Sequence, residues 1–159
     1  MKIRNASHGD INTIVSLGID CWSETRYRDF NLDIDKLSLF IATMIEYEDG
    51  IVLVAVNNDD EIVGGILAEV FTHFFGHTKA AIDLTIFISK EHRGSSAFYK
   101  LIKRYKNVAK DYGVDDIMIG ISSNIKVEFG PILACGIPLS PYARLEGIIK
   151  VHLSPTTIN

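Results

Sequence analysis

The chain has 159 residues, 47% hydrophobic and 23% charged, with 16 basic and 20 acidic side chains, which fits one domain able to bury a core without disulfides. That composition excludes a disordered or collagen-like chain, no apolar run reaches the roughly 18–20 residues of a membrane helix, and a net charge of −4 argues against non-specific nucleic-acid binding. Two cysteines, Cys21 and Cys135, make neither a disulfide scaffold nor a metal-ligand spacing, and the first five residues lack a secretory apolar stretch, so a cytoplasmic location is expected.

Residues 2–6 read as a short strand. Ser7-His8-Gly9-Asp10 then has capping-box spacing, and Ile11, Ile14, Val15, Gly18 and Trp22 follow at helical intervals. A second helix is predicted over 34–47, with Leu37, Phe40, Ile41 and Met44 inward and Asp49-Gly50 ending it. The continuous apolar run Ile51–Val56 predicts a strand buried on both faces. Asn57 to Asp60 form a turn, so a hairpin returns through 62–71. A loop with His73, Phe74, Phe75, Gly76 and His77 leads to a third meander strand at 80–88.

The clearest helix begins near Gly94. Ala97, Phe98, Leu101, Ile102, Tyr105, Val108, Ala109 and Tyr112 form its apolar stripe, and Gly113 stops it. Alternation of Ile117, Ile119 and Ile121 predicts a strand at 116–122. A short helix at 125–135 and a last strand at 148–153 complete the pattern. All four prolines lie at Pro131 or later, so nothing interrupts regular structure before them. The expectation is a single α/β (α+β) domain over 1–159 with a mixed, mostly antiparallel sheet of six to seven strands and about four helices.

Charge is unevenly distributed. Residues 1–61 hold 12 acids and 5 bases, whereas residues 90–110 hold 7 bases and one acid, Glu91. The basic segment opens where a strand meets a helix N-terminus through Arg93-Gly94-Ser95-Ser96-Ala97. Unpaired N–H groups and the positive end of the helix dipole suit a phosphate there. Small residues admit it to the backbone, and Arg93 adds a charged fork. The plainer alternative is a serine-capped connection followed by a solvated basic face.

Ile86-Phe87-Ile88-Ser89-Lys90-Glu91-His92-Arg93-Gly94-Ser95-Ser96-Ala97-Phe98 with the following Leu101-Ile102 resembles motif A of the GNAT superfamily, the acetyl-coenzyme A-dependent N-acetyltransferases. The order of elements resembles that family over most of the chain, and the Arg93–Ala97 variant, with Phe74-Phe75-Gly76 before the preceding strand, is similar to small acetyltransferases encoded by bacteriophages. The resemblance implies a GNAT-like fold with acetyl-coenzyme A as cosubstrate and no metal. Its cofactor contacts would be the backbone of Ile86, Phe87 and Ile88, then Arg93, Gly94, Ser95, Ser96, Ala97 and Phe98, with Asn124 at a later strand end. Two registers fit. With Arg93 at the motif's Gln/Arg position, Ser96 and Phe98 replace the small motif residues and Phe98 crowds the pyrophosphate; with Glu91 there, Gly94 is retained and Ser96 replaces Gly/Ala. Leu101-Ile102 favours the first.

The family's reaction is direct attack of an amine on a thioester, which needs a base, an oxyanion donor and a leaving thiolate. Asp83, an acid inside an apolar strand, and Glu69 on the preceding strand are the candidate bases. Asp83 is one residue out of phase with Ile88 for that role unless a bulge intervenes. Where relatives carry a tyrosine acid this chain has Ile132, and Tyr142 is not placed by the motif; a thiolate with pKa about 8.5 leaves tolerably without one. Cys21 and Cys135 read as buried thiols, His73 and His77 as exposed loop residues, and Trp22 as core or cleft. The acceptor expected is a small-molecule or protein amine, favoured as a cation by the acidic first 61 residues, with no nucleic acid or membrane partner and a monomer or homodimer. The rival is a non-catalytic GNAT-like module that binds coenzyme A or a protein.

Overall fold

An unbroken apolar stretch at 51–56 forces a strand that needs cover on both faces, and the fold is organised around supplying it. The computed structural model describes residues 1–25, 27–120 and 148–152. Their elements are β1 (Lys2–Asn5), α1 (Ile11–Trp22), α2 (Ile34–Glu46), β2 (Gly50–Val56), β3 (Ile62–Thr72), β4 (Lys79–Ile88), α3 (Ala97–Asp111), β5 (Asp116–Gly120) and β6 (Ile148–His152). The strands form one six-stranded sheet in chain order. Every pairing is antiparallel except β4 with β5, which α3 connects as a parallel crossover.

Strand alternation divides the apolar residues between two cores. On one face Leu53, Ile66, Ala68, Ala81 and Ile117 pack with Leu101, Ile102, Tyr105 and Ala109 of α3. On the other, Val52, Val54, Leu67 and Phe87 pack with Ile14 and Val15 of α1 and Ile41 and Met44 of α2. The mixed α/β expectation is met, with six strands and three α-helices among the described residues. The segment 125–135 lies outside them.

Two local expectations need correction. Phe40 is 42% exposed, because the inward stripe of α2 is carried by Ile41 and Met44. The helix α3 starts at Ala97, not near Gly94: Gly94 has φ of 79°, a left-handed conformation incompatible with a right-handed turn. The strand expected at 116–122 is present over Asp116–Gly120, and its last two residues lie outside the described residues.

Asp10 closes the capping box read from its spacing. Its carboxylate accepts from the Ser7 amide at 2.7 Å and the Ser7 hydroxyl at 2.9 Å, and takes both Arg4 guanidinium nitrogens at 2.7 and 2.9 Å. The hydrogen bond from Arg4 holds the Asp10 carboxyl well below the usual range. A lowered folded pKa gives stability that is present above the unfolded value near 4 and lost as pH falls through the folded one. Asp10→Asn is expected to lower unfolding free energy by about 1–2 kcal/mol at pH 7. Denaturant unfolding at pH 7 and pH 3 checks this, with the gap between variant and parent narrowing in acid.

Candidate functional site

The site is built where β4 leaves β5. Their parallel ladder pairs Ala80 with Asp116, Ala81 with Ile117 and Ile82 with Met118. From Asp83 to Ile88, β4 remains hydrogen-bonded to β3 but has no β5 partner among the described residues. Among the described residues, that edge of β4 has no strand partner beside the start of α3, and its Ile88 carbonyl accepts from Arg93.

A bulge sits at the opening. Leu67 pairs with Thr85 and Ala68 with Asp83, so Leu84 is the extra residue on β4. One inserted residue reverses the alternation: Ala81 and Asp83 share the α3 face with Ile86 and Ile88, which pack on that core, while Phe87 enters the α1–α2 core. The phase mismatch between Asp83 and Ile88 is thereby removed.

Asp83 occupies the first position past the last β4–β5 pair. Its Oδ1 accepts the Gly120 amide at 2.6 Å, a single bond across the mouth of the opening. Burial pushes the carboxyl up to about 6, while the Gly120 amide pulls the other way. Behind it lies Tyr105 of α3, fully buried and with no hydrogen-bond partner for its hydroxyl among the described residues; burial, then the charges of Asp83 and Asp116, raise its phenol. Glu69 stands apart from this group. It is half-buried and pairs with Ile82 and Gly50, and by alternation with Ala68 and Val70 of the α3 core it faces the α1–α2 side. The structure thus puts the two acids on opposite faces of the sheet.

The loop between β4 and α3 makes one short 3-10 turn at Lys90–His92, braced by the Ser89 hydroxyl and His92 Nδ1 at 2.9 Å. Gly94 then turns the chain left-handed, and Ser95 Oγ accepts the Ala97 amide at 3.2 Å. Ala97 is buried and Phe98 packs toward the α3 core, so the Phe98 ring turns inward rather than over the helix N-terminus. Arg93 is already engaged: its Nε donates to the Ile88 carbonyl at 3.3 Å and a terminal nitrogen meets Glu24 at 2.7 Å. Lys90 reaches the other Glu24 oxygen at 3.1 Å. Glu24 was missed in the sequence, where it is one acid among 12 in the first 61 residues and nothing local distinguishes it.

The remaining candidates stay at the margins. Burial raises the Cys21 thiol, which makes it a poor nucleophile. Trp22 is half-buried and joins neither core. His77 is exposed, and His73 stacks on Phe75 at 4.8 Å. Asn124, Ile132, Cys135 and Tyr142 lie outside the described residues. Among the described residues no group of acids, histidines and cysteines is placed to hold a metal, and no helix is long and apolar enough to cross a membrane.

A parallel seam that opens beside a left-handed turn and a basic helix defines an α/β fold of the acyl-transferring class. Residues 13–126 match the acetyltransferase (GNAT) family, and the chain belongs to that family. Its fold is similar to that of a probable acetyltransferase, with TM-score 0.72 and 13% identity over 88% of this chain and 91% of that one. It is also similar to a possible acetyltransferase from Clostridium difficile, with TM-score 0.70 and 20% identity over 89% and 92%. A third likeness is to the PaiA N-acetyltransferase from Thermoplasma acidophilum in complex with coenzyme A, with TM-score 0.71 and 16% identity over 96% and 98%. At these identities the likeness speaks for the fold alone. No curated protein matches the chain.

Proposed function

We propose that this acetyltransferase moves the acetyl group of acetyl-coenzyme A to a primary amine by direct attack, with Asp83 as general base. The observation that carries the reading is the place of Asp83: a carboxylate with its pKa raised to about 6, at the first unpaired position between β4 and β5. Acetyl-coenzyme A supplies an activated acyl carbon and a good leaving thiolate. The chain supplies the rest. Backbone groups of β4 between Ile86 and Ile88 that face away from β3 hold the ligand's amide arm and polarise the acyl oxygen. Gly94 and the first turn of α3 receive the diphosphate, with Ser95, Ser96 and Ala97 small enough for close approach. Asp83, ionised near neutrality, takes the proton that the amine sheds, which frees the lone pair that forms the carbon–nitrogen bond; the carbon–sulfur bond then breaks and its electron pair leaves on the coenzyme A thiolate. The acidic first 61 residues favour a cationic acceptor, a small molecule or a protein amine.

Calorimetry with coenzyme A and acetyl-coenzyme A, followed by thiol release over a panel of amines, tests the reading. Saturable binding and amine-dependent thiol release are expected. No binding at millimolar ligand overturns it, and binding without thiol release on any amine leaves a coenzyme A-binding module instead. Gly94→Asp sharpens the result. An added side chain there meets open space, so only the left-handed backbone costs stability, about 1–2 kcal/mol, while a carboxylate beside the diphosphate is expected to weaken coenzyme A binding by at least about tenfold. Equal affinity in calorimetry reduces the loop to a helix cap.

A further inference from the structure

We propose that Glu24 is an internal counter-anion of the cofactor loop, holding Lys90 and Arg93 until the diphosphate of coenzyme A displaces it. The inference rests on the coenzyme A reading above and goes beyond it by assigning a residue outside motif A. Glu24 follows α1 in a turn, its amide donating to the Cys21 carbonyl at 3.0 Å. Its two carboxylate oxygens are divided between the loop's two long cations, Lys90 at 3.1 Å and Arg93 at 2.7 Å. The carboxylate is 21% exposed and Arg93 33%, so the pair is more shielded than an ordinary surface bridge. Hydrogen bonds from Arg93 and then Lys90 hold the Glu24 carboxyl below its usual range, as expected of an anion with two committed partners.

Charge arithmetic shows what this does to the site. Lys90 and Arg93 oppose Glu91 within the loop, and Glu24 cancels the cation left over. A diphosphate arriving at α3 then meets backbone N–H groups but few free side-chain charges. Guanidinium accepts phosphate and carboxylate with the same fork geometry, so Arg93 can exchange one for the other. An anion of single charge offers no advantage over Glu24, which holds two cations at once; a diphosphate does. The exchange has a second effect. Arg93 now donates to the Ile88 carbonyl, and its departure uncovers that β4 acceptor for the ligand's amide arm. Filling the phosphate end thereby opens the strand end.

Coenzyme A titrations by calorimetry test this on the parent, on Glu24→Gln, and on Glu24→Gln in a Lys90→Ala/Arg93→Ala background. Glu24→Gln is expected to tighten binding about five- to tenfold in the parent and less than about twofold in the background lacking both cations. Unchanged or weaker binding in Glu24→Gln overturns the proposal, the latter by making Glu24 a positioner of Arg93. Equal tightening in both backgrounds also overturns it, because simple repulsion between Glu24 and phosphate does not need Lys90 or Arg93. Should Glu24→Gln lose cooperative unfolding, Glu24→Asp, with its charge kept but its reach shortened, is expected to tighten binding by a smaller factor; no tightening counts against the proposal. Absence of binding by parent and variants alike at millimolar coenzyme A removes the underlying reading, a result distinct from any of these.

Discussion

Asp83→Asn is expected to remove most acetyl transfer while making the protein more stable. The two effects share one cause. Asp83 is half-buried beside the β4–β5 opening, with the Gly120 amide its one hydrogen-bond donor from another residue among the described residues, and burial raises its pKa to about 6. A carboxyl whose folded pKa exceeds its unfolded value binds protons more tightly when folded, so its contribution to stability falls as pH rises from about 4 to about 6 and stays low above that. The asparagine amide oxygen still accepts from Gly120 and carries no charge. At pH 7.5 the variant is expected to gain about 2 kcal/mol, or about 4–8 °C in Tm, and at pH 4 almost nothing. Activity moves the other way, falling about 10²- to 10³-fold with loss of the general base. The acid limb of the parent's kcat/KM profile, with apparent pKa about 6, disappears with it. Initial rates of thiol release across pH, paired with thermal unfolding at both pH values, read the two signs together. Glu69→Gln, on the opposite face, is the companion variant. A rate within twofold of the parent in Asp83→Asn takes the base away from Asp83, and the same outcome in Glu69→Gln excludes that acid.

Gly65→Ala is expected to damage the fold more than any other single methyl discussed here. Gly65 pairs with Val54 on one side and Phe87 on the other. A Cβ at Gly65 would lie 2.7 Å from Phe87 Cζ and 2.9 Å from the Leu53 carbonyl oxygen. Neither neighbour can give way. Phe87 is 3% exposed within the α1–α2 core, and the Leu53 oxygen belongs to the β2 backbone. Overpacking of this kind costs about 2–4 kcal/mol, which for a chain of this size corresponds to roughly 5–12 °C in Tm. Gly18→Ala is the contrast: it lies within α1, nothing stands within 4 Å of its added methyl, and helix propensity predicts a small gain. Thermal unfolding of the two variants side by side measures the difference. A loss below about 1 kcal/mol for Gly65→Ala means that β4 can shift on β3, contrary to the packing described.

How much of this was legible in the sequence follows from the range of the forces involved. The stripe of α3, the two-faced burial of β2 and the hairpin between β2 and β3 are local patterns of period 3.6 or 2, and they read off the chain directly. The left-handed Gly94 was visible as a glycine but not as the reason that α3 begins three residues later, since helix onset depends on the backbone angle rather than on composition. The bulge at Leu84 was invisible. Nothing in Ile82-Asp83-Leu84-Thr85 marks the inserted residue, and only pairing with β3 decides it. The phase of Asp83 therefore could not be fixed without the neighbouring strand. Glu24 is a similar case: its partners lie more than sixty positions away, and an ion pair at that separation leaves no periodic trace.

The β4–β5 ladder bears on how the molecule comes apart as well as on what it binds. Among the described residues three residue pairs join the two strands, whereas β3 and β4 are paired along nearly their whole length. The sheet is thus mechanically two panels with a narrow seam. One panel is the β1–β4 meander with α1 and α2; the other is β5 with β6, held to the first largely by Ile117 and Ile119 against α3. Cooperative unfolding of the whole chain has to pass through α3, the element that spans both panels. A molecule lodged in the seam is then a splice between subunits of stability that are otherwise weakly joined. Filling that edge is expected to join the two panels more tightly and so to sharpen the unfolding transition.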